Sequence, residues 1–127
     1  MPSIGLNRVL LIGHVASQPR FKITPGKQLP RLWLRVRTDE AYRDENGIER
    51  ERRAFHTVVV WGGLATSVNG FLREGHAVAV EGRLSSRQYE VDGSKRYQVE
   101  VTATKFVTLT PKGLESTGSQ RADLDAA

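Results

Sequence analysis

Apolar and polar residues alternate with two different periods along this chain. The first apolar segment, Leu6-Asn7-Arg8-Val9-Leu10-Leu11-Ile12-Gly13-His14-Val15, is rich in β-branched residues and is closed by polar residues and Pro19, which predicts a strand. The segment Leu32-Trp33-Leu34-Arg35-Val36-Arg37 alternates strictly. Period two puts Leu32, Leu34 and Val36 on one face and Trp33, Arg35 and Arg37 on the other. The aliphatic face belongs to a core; the opposite face carries an indole and two guanidiniums, which is odd for a surface without a partner. A charged stretch from Asp39 to Arg53 surrounds Asn46-Gly47. Both residues of that pair tolerate the positive φ of a type I′ turn, so a protruding arm between strands is expected. Ala54 to Trp61 reads as the third strand, ended by Gly62-Gly63.

The period then changes. Leu64, Val68, Phe71 and Leu72 recur at helical spacing, predicting an amphipathic helix that ends at Gly75. Val78 to Glu90 and Arg96 to Leu109 read as two further strands, with Asp92-Gly93 as the turn between them and Pro111 as the stop. Three strands, a helix and two strands make the element order of the five-stranded OB-fold barrel, an all-β class with one short helix. The domain is expected over residues 1–110. Residues 111–127, small, polar and aperiodic, are expected to form a short disordered C-terminal tail.

Composition narrows the chemistry. The 127 residues are 39% hydrophobic, enough for one modest core. A formal net charge of +5 favours a polyanionic partner. There is no cysteine, so disulfides, thiolate metal sites and cysteine nucleophiles drop out together. No apolar run has the length of a membrane helix, and a soluble cytoplasmic protein is expected. His14, His56 and His76 lack metal-ligand spacing, and neither a nucleophile elbow nor a phosphate loop occurs. The segment Asp44-Glu45-Asn46-Gly47 superficially suggests a calcium loop, but Tyr42 and Arg53 occupy places that need ligands. No catalysis, metal or cofactor is expected.

Binding a single nucleic-acid strand needs a basic groove for phosphates and flat aromatic faces for bases. Tyr42 lies at the root of the arm beside Arg43; Phe55 and Trp61 share a face of strand three; Tyr89 closes the fourth strand with Arg87 on its face. Phe55 and Trp61 have a plain alternative as core residues, whereas Trp33 does not, because Leu32 and Leu34 already claim the interior. Tyr97 and Phe106 are assigned to packing. The candidate stacking set is therefore Tyr42, Phe55, Trp61, Tyr89 and Trp33, with Arg8, Arg35, Arg43, Arg73, Arg87 and Arg96 as candidate phosphate contacts.

The block Phe55-His56-Thr57-Val58-Val59-Val60-Trp61-Gly62-Gly63-Leu64-Ala65 resembles the strand-to-helix segment of bacterial single-stranded DNA-binding proteins. Asn7 to Gly13, Thr38 to Asp44 with Asn46-Gly47, Phe71 to Gly75 and Val80 to Leu84 are similar to further segments of that family, in the same order. The resemblance implies single-stranded DNA as partner, bound and protected during replication, recombination and repair with little sequence preference. It implies base stacking at Tyr42, Phe55, Trp61 and Tyr89, where the family more often has Trp at three of the four. It also implies a homotetramer or, less commonly, a dimer, with Asn7 and His56 at subunit contacts. Many family members end in an acidic, apolar-tipped segment that recruits replication and repair enzymes; here Asp123-Leu124-Asp125 is a faint echo at best, so that recruitment is doubtful. Three other readings stay open: the primosomal replication protein N, a dimeric relative; a cold-shock-type RNA-binding module; and an OB-fold nuclease, which the scattered carboxylates disfavour.

Overall fold

The computed structural model describes residues 3–110. Six strands and one helix follow in order: β1 (Val9–Val15), β2 (Arg20–Ile23), β3 (Pro30–Arg43), β4 (Glu49–Trp61), α1 (Gly62–Asn69), β5 (Ala77–Val91) and β6 (Ser94–Thr108). Neighbours run β1-β5-β6-β4-β3-β2, and β1 also pairs with β3 at His14↔Arg37 and Val15↔Val36. That last pairing closes a five-stranded barrel, with β2 as a short flap on the free edge of β3. Among the described residues only β4 and β6 run parallel, at Val58↔Val101 and Val59↔Thr102. This is the expected OB barrel.

The core follows the alternation. Leu32, Leu34 and Val36 from β3, Val58 and Val60 from β4, Val78 and Val80 from β5, and Val101 from β6 are all buried. Each contributes about 1.5–3 kcal/mol by leaving water. Ala65 and Val68 of α1, with Leu72 beyond it, add to the same core, and α1 packs on β3, β4 and β6.

Two glycines allow the barrel to close. A Cβ on Gly13 would collide with the Arg37 carbonyl at the β1–β3 seam, and one on Gly82 with the Thr102 carbonyl, where β5 is bulged between Glu81 and Gly82. β1 is also extended by a side chain: Asn7 Nδ2 donates to the Leu84 carbonyl at 2.6 Å, and the Leu84 N–H donates to Asn7 Oδ1 at 2.7 Å. The amide of Asn7 thus adds a ladder step beyond Val9↔Gly82.

Four expectations need correction. β2 was not foreseen, because four residues between Pro19 and Pro25 are too few to display a period. The helix stops at Asn69, not near Gly75, since Asn69-Gly70 favours termination; Leu72, three residues beyond the helix, remains buried. Asn46-Gly47 is not a type I′ pair, as only Gly47 has positive φ. Asp44 holds that turn instead, Oδ1 accepting from the N–H groups of Asn46 and Ile48, both at 2.9 Å. The type I′ pair is Asp92-Gly93, both with positive φ, joining β5 to β6 through Val91↔Ser94. Finally, Tyr97 is 68% exposed and not packed, whereas Phe106 lies in the core. The expected tail, 111–127, lies outside the described residues.

Candidate nucleic-acid interface

Directly paired residues on neighbouring strands point to the same side of a sheet, so the register shows what shares the outer face with Trp33. Lys22, Arg31 and Trp61 form one row across β2, β3 and β4; Arg20, Trp33 and Val59 form the next, continued by Thr102 on β6. Arg35 with Thr57 and Arg37 with Phe55 complete the face toward the arm. The β5–β6 ladder prolongs it with Arg83 opposite Thr102, Ser85 opposite Glu100, Arg87 opposite Gln98 and Tyr89 opposite Arg96. Gln98 Nε2 reaches back to Thr57 Oγ1 at 3.5 Å, tying this ladder to β4.

Aromatic rings and guanidiniums interleave on this face. Arg31 Cζ lies 4.7 Å from the Trp33 ring centroid and 5.3 Å from that of Trp61, so one guanidinium bridges two indoles. Arg35 Cζ is 5.1 Å from the Phe55 ring. Such contacts are worth about 0.5–1 kcal/mol each where exposed, enough to hold ring orientation. Phe55 is 49% and Trp61 39% exposed, which removes the core alternative for both. Val59 is fully buried on this outer face and is absent from the barrel core, so it forms an apolar floor between the rings.

Electrostatics divide the cations into two groups. Asp39 takes Arg37 at 3.3 Å and Arg53 at 3.1 Å, and the buried Glu100 carboxylate lies 3.9 Å from Arg87. These three guanidiniums are partly neutralised. Arg20, Arg31, Arg35, Arg43 and Arg96 have no ion-pair partner among the described residues, so their charge is available to an anion. Between β2 and β4 the surface sinks into a cleft of 720 Å³, walled by residues 17–20 and by Trp33, Arg35, Thr57 and Gln98.

The structure thus gathers Trp33, Phe55, Trp61, Tyr89, Arg35, Arg87 and Arg96 onto one face. Others lie elsewhere. The β3–β4 register runs unbroken to Arg43↔Glu49, so parity puts Tyr42 on the side opposite Phe55, where Arg52 Cζ covers its ring at 4.5 Å; Arg43 keeps the outer side at the arm tip. Arg8 immediately precedes β1 and is ion-paired to Glu81 of β5 at 3.2 Å, with β5 and β6 between it and β4. Arg73 follows α1 and donates to the Leu72 carbonyl at 2.7 Å. Asn7 is bonded within its own chain, and the ring of His56 lies 2.9 Å from Thr38 Oγ1. Arg20, Lys22 and Arg31 were missed. Arg20 and Lys22 lie on a strand of four residues, too short to establish a period, whereas extending the Leu32 alternation back by one residue would have found Arg31.

At the arm tip, Asp44 accepts from Arg50 Nε at 2.9 Å, and this with the Ile48 and Asn46 N–H groups holds its carboxyl below the usual carboxylate range.

Relatives agree with this architecture. The chain is 39% identical over 112 residues to a single-stranded DNA-binding protein of Thermus aquaticus, covering 88% of this chain and 42% of the relative. It is 34% identical over 110 residues to single-stranded DNA-binding protein 1 of Chlorobaculum tepidum, covering 85% and 67%. The crystal structure of the wild-type Thermus aquaticus protein superposes with a TM-score of 0.74 over 87% of this chain and 53% of that one. By the sequence match, this chain spans less than half the length of the Thermus aquaticus relative. The sequence pattern of the single-strand binding protein family matches residues 6–109, and the chain belongs to that family.

Proposed function

We propose that this protein binds and covers single-stranded DNA with little sequence preference, serving replication, recombination and repair. One observation carries the reading: an unbroken outer face on which Trp33, Trp61 and Phe55 interleave with Arg20, Arg31 and Arg35, cations with no carboxylate partner among the described residues. Bases stack on the rings at about 1–3 kcal/mol each, and every base has a π-face, so stacking tolerates sequence. Phosphates take the free guanidiniums, and the strand continues over Tyr89 and Arg96 toward the β5–β6 turn. Tyr42 and Arg43 extend the path along the arm for longer strands.

The protein acts as a binder without turnover: Asp39 and Asp44 are engaged by arginines. It works as a homotetramer or dimer in the cytoplasm. Self-association is supported by Leu10 and Ile12, 68% and 64% exposed, which project outward side by side from β1, away from the aromatic face. The test of binding is titration with a long polythymidine strand while following tryptophan fluorescence. Strong quenching, with salt-sensitive affinity and little response to duplex, supports the reading; an unchanged signal and no binding refute it.

A further inference from the structure

A carboxylate lies in the path of the strand. Glu100 shares the outer face with Gln98 and Thr102, its neighbours of like parity on β6. It sits between the Trp33 row, which ends at Thr102, and the Tyr89–Arg96 pair. Glu100 is only 8% exposed, and its Oε2 is buried with no hydrogen bond among the described residues. A surface built only to attract a polyanion has no use for such a group. Taking a carboxylate out of water is costly, and its charge repels phosphate. Asp39 on the same face is covered by two guanidiniums, Arg37 and Arg53. Glu100 has one, that of Arg87, on the diagonal across the β5–β6 ladder. The Arg87 Nε is 3.9 Å from Oε2, too far for a hydrogen bond, and its Nη2 donates to Gln98 Oε1 at 3.4 Å. The Arg87 side chain is half exposed, so phosphate can reach it, whereas the carboxylate it would leave is sealed. A phosphate that drew Arg87 away would leave the Glu100 charge buried and uncompensated, which costs more than an exposed contact returns.

We propose that Glu100 is a built-in brake on strand binding: it keeps Arg87 from serving as a phosphate contact, so bound DNA is held less tightly and released faster. This rests on the single-strand reading above and deepens it by naming a residue that sets the affinity. A protein that covers strands during replication has to come off before the strand is copied, and an affinity below the maximum suits that work.

The test compares two substitutions that each remove one charge and free one arginine. Glu100→Gln frees Arg87 on the aromatic face; Glu81→Gln frees Arg8, which lies off it. With an oligothymidine long enough for one domain, Glu100→Gln should bind about three- to tenfold tighter at low salt. Its slope of log K against log salt should steepen by about 0.7, one further phosphate. Its dissociation should slow by a similar factor to the gain in affinity. Glu81→Gln should match the parent in all three, and adding Arg87→Ala to Glu100→Gln should return affinity and slope to parent values. A folded Glu100→Gln protein that binds like the parent overturns the brake and leaves the single-strand reading standing. An equal gain in Glu81→Gln, or a gain that survives Arg87→Ala, overturns it as well. Should Glu100→Gln not fold, the parent decides: the Arg87 Nε–H resonance should hold still as oligothymidine is added while that of Arg35 moves, and movement of both overturns the brake. A parent that binds no single strand removes the single-strand reading and the brake together.

Discussion

Arg31 lies over the Trp33 indole, its Cζ 4.7 Å from the ring centroid, although the two residues are only two positions apart on β3. Neighbours of like parity on one strand share a face, and the Trp61 indole across the ladder has its centroid 5.3 Å from the same guanidinium. Arg31 therefore presents two rings in fixed relation. Arg31→Ala should weaken single-strand binding about three- to tenfold, as expected for losing a cation–π anchor together with a phosphate contact. Arg31→Lys should restore charge but not the stack, because an ammonium has no plane to lay on a ring. Fluorescence titration of the three proteins at one salt concentration checks this.

Stacking platforms on the face should matter in any strand length. Trp33→Ala, Phe55→Ala and Trp61→Ala should each cost about 1–3 kcal/mol of binding to an oligothymidine. Tyr42 is different, since parity sets it on the reverse of the arm. Tyr42→Ala should leave binding of an eight-nucleotide strand, about the reach of one such domain, nearly unchanged. It should weaken binding of a strand several times longer. Equal losses for both lengths would mean that the arm twists further than the ladder indicates.

Much of this was legible in the residues. The pairing of Trp33 with Arg35, and of Phe55 with Trp61, follows from alternation within single strands, so their shared faces could be read before any fold was seen. How one strand lies against the next could not, because period two says nothing of register. The row Lys22–Arg31–Trp61 exists only through register, and its first member sits on a strand too short to announce itself. Tyr42 shows the reverse problem: family position suggested its company, and strict parity placed it on the other side. Arg8 looked like any free cation, yet Glu81, distant in sequence, neutralises it.

The barrel seam depends on two positions without side chains. Gly13→Ala and Gly82→Ala would each drive a methyl into a backbone carbonyl, of Arg37 and Thr102 respectively. Backbone is costly to displace, so each should destabilise the fold by about 1–3 kcal/mol. For a domain near this size that lowers Tm by several degrees per kcal/mol, about 4–8 °C. Thermal unfolding followed by circular dichroism measures it, and Gly63→Ala, where a Cβ meets nothing within 4 Å, is the control.

The arm tip should respond to acid. Asp44 has its carboxyl lowered below the ordinary value by Arg50 and by the Ile48 and Asn46 N–H groups. A depressed carboxyl stabilises the folded turn fully above its unfolded pKa, near 3.8, and loses that contribution as pH falls through the lower folded value. The amide resonances of Asn46 and Ile48 should hold steady from neutral pH down to about 4 and shift below it. Asp44→Asn should show the shifted state at neutral pH.

The salt dependence reports how many free guanidiniums reach phosphate. Neutralising about four phosphates gives a slope of log K against log salt near −3. Arg20→Ala and Arg35→Ala should each make it less steep by about 0.7, whereas Arg8→Ala should not change it.

The central claim is that the outer face of β2, β3 and β4 carries the strand. Amide and indole chemical shifts recorded while an oligothymidine is added test it most directly. The account expects the indole N–H signals of Trp33 and Trp61 and the amides around Arg31, Arg35, Phe55 and Thr57 to move together, with Leu10 and Ile12 on β1 unaffected. Shifts centred on β1, with both indoles silent, would contradict it.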